Sequence, residues 1–178
     1  VRYGARLVRH TAYFIGPEGT VSKNLGNKMN CTNCHLEVGT KPFGLNFFNS
    51  HRIYPQYRAR ENAILTLADR VNNCITRPHN GKDLKIDSKE MLAIVSYIKW
   101  LGEGYDPNLH EGFGLKEIKY DSLHADSKRG EQVYTVHCKV CHQADGQGVM
   151  MADGSTYQYP PLWGPKSYQS GSSMHRVI

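Results

Sequence analysis

The chain has 178 residues, 39% of them hydrophobic, and a formal charge of +6. The apolar share reaches the roughly 45–50% of an ordinary globular domain only when the 17 glycines, which bury little, are counted. Five cysteines exclude a closed set of disulfides. The longest apolar run, Met91–Leu101 with Lys99 inside it, is too short for a membrane span of about 20 residues. Lys and Arg are dispersed with no run of five, which argues against nucleic acid and leaves an anionic partner as the milder inference. Two small domains of this polarity would have thin cores unless something besides side chains supplies apolar bulk. No secretory leader is visible, and the start at Val1 reads as a processed product.

In chain order, the first feature is Cys31-Thr32-Asn33-Cys34-His35. Thr66–Cys74 reads as a short helix. Thr66 and Asp69 have capping-box spacing, and Leu67, Val71 and Cys74 fall along one side. Asp87-Ser88-Lys89-Glu90 reads as a further helix start, with Asp87 as cap and Glu90 reaching back. Met91, Leu92, Val95, Ile98 and Leu101 give that helix an apolar face, and Gly102 is its expected stop.

Gly102 to Ala125 is polar and glycine-rich, as a linker would be. Asp126–Lys139 is the next predicted helix, capped by Asp126 or Ser127, with Val133, Val136 and Val140 directed inward. It leads into Cys138-Lys139-Val140-Cys141-His142, a second copy of the first motif 107 residues on. Tyr157 to Gly171, with Pro160, Pro161 and Pro165, is expected to be loop. The seven residues after it leave no counterpart to the helix Asp87–Leu101, so the second module reads as incomplete.

Cys-x-x-Cys-His is the attachment signal for c-type haem: two thiols add to vinyl groups on one edge of the macrocycle, and the His becomes an axial iron ligand. Chance supplies roughly 0.007 such matches in a chain of this composition. A zinc site could use Cys31, Cys34, Cys138 and Cys141, but it has no need of a His after each pair. The motifs therefore predict two covalently attached haem c groups, on Cys31, Cys34 and His35 and on Cys138, Cys141 and His142. The fold they imply is mainly α, two tandem class I cytochrome c-like domains over residues 1–110 and 126–178 with a linker over 111–125. Two haems bring apolar discs for thin cores to pack around, and their four propionates offset the positive charge by about −4.

Each iron then needs a second axial ligand or an open position. In the first module the candidates are Cys74, which neither motif uses, and His10, His51, His79 and His110; a free cysteine is also commonly an inert buried thiol. A thiolate ligand would lower the haem potential. In the second module the candidates are Met150, Met151 and Met174. Met174 is favoured because the Pro-rich loop can carry it to the opposite face of the haem, where methionine raises the potential. Arg70 precedes Cys74 by four residues and shares its helix face. It is either an anion-binding group beside the first haem or an arginine in solvent or on a propionate.

A longer pattern surrounds these residues: Gly16-Pro17-Glu18-Gly19, Gly26-Asn27-Lys28-Met29-Asn30 before the first motif, Gly39-Thr40-Lys41-Pro42-Phe43, Tyr54-Pro55-Gln56-Tyr57-Arg58, Asp69-Arg70-Val71-Asn72-Asn73-Cys74, Asn80-Gly81-Lys82, and Tyr159-Pro160-Pro161-Leu162-Trp163-Gly164. From Leu7 to Arg176 the chain resembles the dihaem cytochrome c thiosulfate dehydrogenases, which also act as tetrathionate reductases. The resemblance implies that Cys74 is the distal ligand of the first, catalytic haem and Met174 that of the second, electron-relaying haem. It implies that Arg60 and Arg70 hold the anionic substrate. It further implies oxidation of thiosulfate to tetrathionate or the reverse, a small sulfur oxyanion as substrate, another cytochrome or redox protein as electron partner, and a periplasmic or other extracytoplasmic bacterial location. Two segments depart from the family pattern. Arg77-Pro78-His79-Asn80-Gly81 stands where Arg-Ser-Met-Asn-Gly is common, so a pocket hydroxyl is absent, and Gly171-Ser172-Ser173-Met174 replaces Gly-Ala-Gly-Met. The first departure motivates an alternative: an electron-transfer dihaem cytochrome, or the cytochrome subunit of a larger complex, without turnover.

Overall fold

The structure is a computed structural model and describes residues 1–59, 61–106, 112, 124–154, 157–159 and 161–164. The chain divides into two compact units, Val1–Lys116 and Glu117–Ile178. Helices dominate the described residues, beside two short two-stranded sheets. Of the linker expected over 111–125, only Gly112, His124 and Ala125 are described. No helix among the described residues is long and apolar enough to cross a membrane.

In the first unit, α1 (Arg2–Arg9) and α2 (Thr11–Ile15) precede a 3-10 turn at Cys31–Asn33 and the short α3 (Leu36–Gly39). Strand β1 (Gln56–Arg58) pairs antiparallel with β2 (Ala63–Leu65), Tyr57 opposite Ile64. Helices α4 (Leu67–Thr76) and α5 (Lys89–Glu103) follow. The core forms where α1 lies on α5. Gly4, Leu7 and Val8 are the buried face of α1, with Arg2, Arg6 and Arg9 left on the exposed side. A Cβ at Gly4 would collide with the Ala93 carbonyl, so glycine is what lets the two helices approach.

The capping box of α4 forms as its sequence predicts: Asp69 N donates to Thr66 Oγ1 at 3.2 Å and Thr66 N to Asp69 Oδ2 at 2.8 Å. Helix α5 differs from expectation at both ends. Ser88, not Asp87, is the cap, accepting from Met91 N at 3.2 Å, and Glu90 instead accepts a hydrogen bond from Tyr3 Oη at 2.9 Å. Its buried face is Met91, Ile94, Tyr97 and Ile98, while Leu92 is 54% exposed. Gly102 does not stop the helix. It is buried within it, where a Cβ would run into the His51 imidazole, and Gly104 is the C-cap.

The second unit opens with α6 (Ser127–His137), capped by Asp126, whose Oδ1 accepts from Arg129 N at 3.0 Å. Then come α7 (Lys139–His142) and β3 (Val149–Met150), which pairs antiparallel with β4 (Tyr157–Tyr159). The expected loop thus begins as a strand, because Tyr157-Gln158-Tyr159 finds an extended partner before the prolines. Val133, Val136 and Val140, expected inward, are 49%, 70% and 78% exposed. Their helical spacing makes an apolar stripe, but burial needs an opposing surface, and none of the described residues covers them.

Burial and the hydrogen bond to Glu90 push the Tyr3 phenol up to about 12 from its ordinary 10.0. A folded-state pKa above the unfolded value gives stability that is complete below pH 10 and lost as pH rises through 12. Tyr3→Phe is expected to cost about 1 kcal/mol at pH 7. The gap to wild type should close between pH 10 and 12 in urea unfolding titrations.

Candidate functional site

A cavity of about 300 Å³ opens inside the first unit. Val8 and Ile15 from the N-terminal helices, Phe47, and Ile94 and Ile98 from α5 give it apolar walls. Cys31, Cys34 and His35 enter it from the 3-10 turn, and Arg70 and Cys74 from α4. All five cysteines of the chain are free thiols.

His35 is oriented by its own loop. Its Nδ1 lies 2.6 Å from the Leu45 carbonyl. A carbonyl only accepts, so Nδ1 carries the proton and Nε2 keeps its lone pair for a metal. Phe47 packs on the imidazole, ring centroids 4.3 Å apart. The chain reaches this contact through a left-handed turn, with φ of 53° at Glu37, 61° at Val38 and 82° at Gly39. Val38, a β-branched residue in a costly conformation, is held there by two hydrogen bonds. Tyr97 Oη donates to its carbonyl at 3.0 Å, and its own N donates to Thr32 Oγ1 at 3.0 Å.

The attachment turn is tied to the N-terminal helices: Cys31 N donates to Thr11 Oγ1 at 2.9 Å, and Ala12 N to Asn30 Oδ1 at 2.9 Å. Burial pushes the Cys31 thiol up to about 11 and raises that of Cys34, and it lowers the pKa of His35. The turn therefore presents neutral thiols and a neutral imidazole. On α4, Arg70 Nη1 donates to Cys74 Sγ at 3.3 Å. The neighbouring Arg77 does not face this sulfur in the same way; it pairs with Glu61 at 3.4 Å.

These residues fit a covalently held haem. Two free thiols and an imidazole with a free Nε2 share one apolar chamber, whose volume lies at the lower end of the roughly 300–1,000 Å³ common for ligand pockets. Among the described residues the chamber also carries guanidinium groups and no carboxylate, which suits a cofactor with acidic arms. A bare metal ion fits less well. Among the described residues no three His, Cys, Asp or Glu side chains converge on one point.

Of the residues singled out by sequence, Cys31, Cys34, His35, Cys74 and Arg70 line this one chamber. Arg60, Met174 and His110 lie outside the described residues. Among the rival ligands, His79 lines the chamber at 4% exposure, whereas His10 and His51 do not line it. Pro78 lines it too and offers no donor. Sequence reasoning assigned no role to Thr11, Leu45, Phe47, Ser50, Tyr54 or Arg58, which reach the chamber from loops and short elements. In the second unit Cys138, Cys141 and His142 sit half-buried around α7. Tyr134 Oη donates to the Gln143 carbonyl at 2.5 Å, and Trp163 Nε1 to that of Asp145 at 2.7 Å, bracing the segment after the motif. Met150 is 48% exposed on β3, and Met151 follows it half-buried.

Residues 21–106 match the family described as SoxA/TsdA, cytochrome c domain, and residues 127–176 match the cytochrome c family. The class is therefore a c-type cytochrome built from two cytochrome c domains, with covalently bound haem c as the cofactor that such domains imply. Over 99% of its length the chain is 36% identical to a thiosulfate dehydrogenase of Psychrobacter arcticus, covering 52% of that protein. It is 35% identical over 98% of its length to one of Stutzerimonas stutzeri, covering 57%, and 33% identical over 97% to one of Allochromatium vinosum, covering 65%. A solved structure of thiosulfate dehydrogenase (TsdBA) from Marichromatium purpuratum superposes with a TM-score of 0.63 at 31% identity, over 94% of this chain and 36% of that one. Along nearly its whole length the chain is thus similar to thiosulfate dehydrogenases. It spans about half to two thirds of the length of these curated relatives.

The seating of Phe47 against His35 depends on Gly39, where φ is +82° and a Cβ would enter the Phe47 ring. Gly39→Ala is expected to destabilise the haem-loaded protein by roughly 1–3 kcal/mol. The check is a lowered midpoint in thermal unfolding followed at a haem absorbance band.

Proposed function

We propose that the chain carries two covalently attached haem c groups and oxidises thiosulfate to tetrathionate, or runs the reverse reaction, at the first. One haem is held by Cys31, Cys34 and His35 in a domain over 1–110. The other is held by Cys138, Cys141 and His142 in a domain over 126–178, with residues 111–125 between them. The observation that carries this reading is the Arg70–Cys74 contact of 3.3 Å in the chamber that also holds His35 and the two attachment thiols. In it Cys74 would ligate the iron of the first haem and Met174 that of the second.

Joining two thiosulfate dianions brings like charges together, and fixed guanidinium groups offset that repulsion and orient the sulfurs. Arg70 and Arg60 take that role. The Cys74 thiolate bonds to the outer sulfur of one thiosulfate as two electrons leave. The outer sulfur of a second thiosulfate then attacks that sulfur and displaces Cys74. The sum is two thiosulfates to one tetrathionate and two electrons, with no net proton change. The haem supplies one-electron acceptance, and the electrons pass on to another cytochrome or redox protein. Haem attachment and the family together favour a periplasmic or other extracytoplasmic setting.

A second reading is favoured by Pro78, which lines the chamber and offers no hydroxyl to it. In that reading the chain is an electron-transfer cytochrome, or a subunit of a larger redox complex, without turnover. Purified haem-loaded protein assayed with thiosulfate and an artificial acceptor separates the two: tetrathionate formation supports the enzyme, and its absence supports the carrier. Cys74→Gly is expected to lower tetrathionate formation by roughly a hundredfold or more. It should also abolish the thiolate signature in the spectrum of the oxidised protein. Unchanged oxidation in this variant would sink the catalytic role of Cys74.

A further inference from the structure

The segment between the attachment turn and α4 brings three polar donors to the chamber wall. Ser50, Tyr54 and Arg58 stand four residues apart, all three line the cavity, and all are half-buried. None of their side chains has a hydrogen-bond or ion-pair partner among the described residues. A half-buried guanidinium without an anion is costly, and it selects a negatively charged oxygen as its partner. Among the described residues no carboxylate lines this chamber, which leaves what the chamber binds to supply the anion.

Two anions qualify, a haem propionate and a sulfur oxyanion, and the placement of the arginines separates them. Arg70 stands on α4 with its Nη1 on Cys74 Sγ, at the residue proposed to react. Arg58 stands on β1, a different element. Glu61, three residues on, is tied to α4 and its C-cap: its Oε1 accepts from Asn73 Nδ2 at 3.2 Å and pairs with Arg77 Nη2 at 3.4 Å. These contacts need no substrate, which suits a resident anion beside Arg58. Cys31 and Cys34 bond the vinyl edge of the macrocycle, and its propionates lie on the other edge, so they must be met by other elements.

We propose that Ser50, Tyr54 and Arg58 form a propionate cradle for the first haem, with Arg58 as its charge partner, distinct from the anion site at Arg70. This rests on a haem being attached at Cys31 and Cys34. An uncompensated propionate stabilises the oxidised iron, so Arg58 keeps the potential of that haem higher than it would otherwise be.

The test uses the haem-loaded protein. Redox titration of the first haem, thermal unfolding and thiosulfate-induced change in the haem absorbance are measured for wild type, Arg58→Gln, Arg58→Lys, Tyr54→Phe and Arg70→Gln. Arg58→Gln is expected to lower both the midpoint potential and the unfolding temperature. Tyr54→Phe should do so to a smaller extent, and Arg58→Lys should restore much of the potential. Thiosulfate affinity should change by less than about twofold in Arg58→Gln and weaken by about tenfold in Arg70→Gln. A potential that ignores both Arg58 variants overturns the cradle. So does a loss of thiosulfate affinity in Arg58→Gln that matches Arg70→Gln, whatever the potential does. If thiosulfate perturbs neither haem, the potential alone decides. Absence of a haem band in the wild-type protein would instead be the failure of haem attachment itself.

Discussion

The hydrogen bond from His35 Nδ1 to the Leu45 carbonyl, 2.6 Å long, is the constraint around which the first unit is organised. It decides which imidazole nitrogen is free and which way the ring points. To make it, the chain must turn back on itself within ten residues of the motif. That requirement accounts for the left-handed run at Glu37, Val38 and Gly39 and for Phe47 settling where Gly39 has no side chain. The Tyr97–Val38 hydrogen bond then ties this strained turn to α5, so the core helix and the ligand turn hold each other in place.

Charge follows the same logic. The chain is basic overall, yet its arginines are not equivalent. Arg77 is paired with Glu61, Arg6 lies over the Phe14 ring, and Arg58 and Arg70 line a chamber to which the described residues bring no acid. A low-polarity chamber magnifies what two such charges do to an anion or to a thiolate. The local field at the cavity therefore matters more than the formal +6 of the chain.

Much of the site was legible in sequence because its chemistry is local. A Cys-x-x-Cys-His run places two thiols and an imidazole on one turn, and the Thr66–Asp69 box starts a helix that necessarily puts Arg70 and Cys74 on one face. The helix ends were less legible. Ser88 displaced Asp87 as cap because Glu90 was drawn to Tyr3, some 87 residues away in the chain. Gly102 stayed inside α5 because His51 needs the space above it. Both outcomes turn on neighbours that no local window contains. The valine stripe of α6 is the converse case, a clear local pattern without an opposing surface among the described residues.

Sequence alone determined which groups could bind a haem, since motif spacing acts within a single turn, and it singled out Cys74 as the thiol left over. Only the tertiary structure decided that Cys74 shares a chamber with that motif, that Arg70 touches its sulfur, and that Ser50, Tyr54 and Arg58 reach the same wall. The reason is physical. Ligand spacing along a turn is covalent geometry, whereas a cavity wall is assembled from segments distant in sequence, brought together by the burial of α1 on α5 and by the closure of the loop that orients His35.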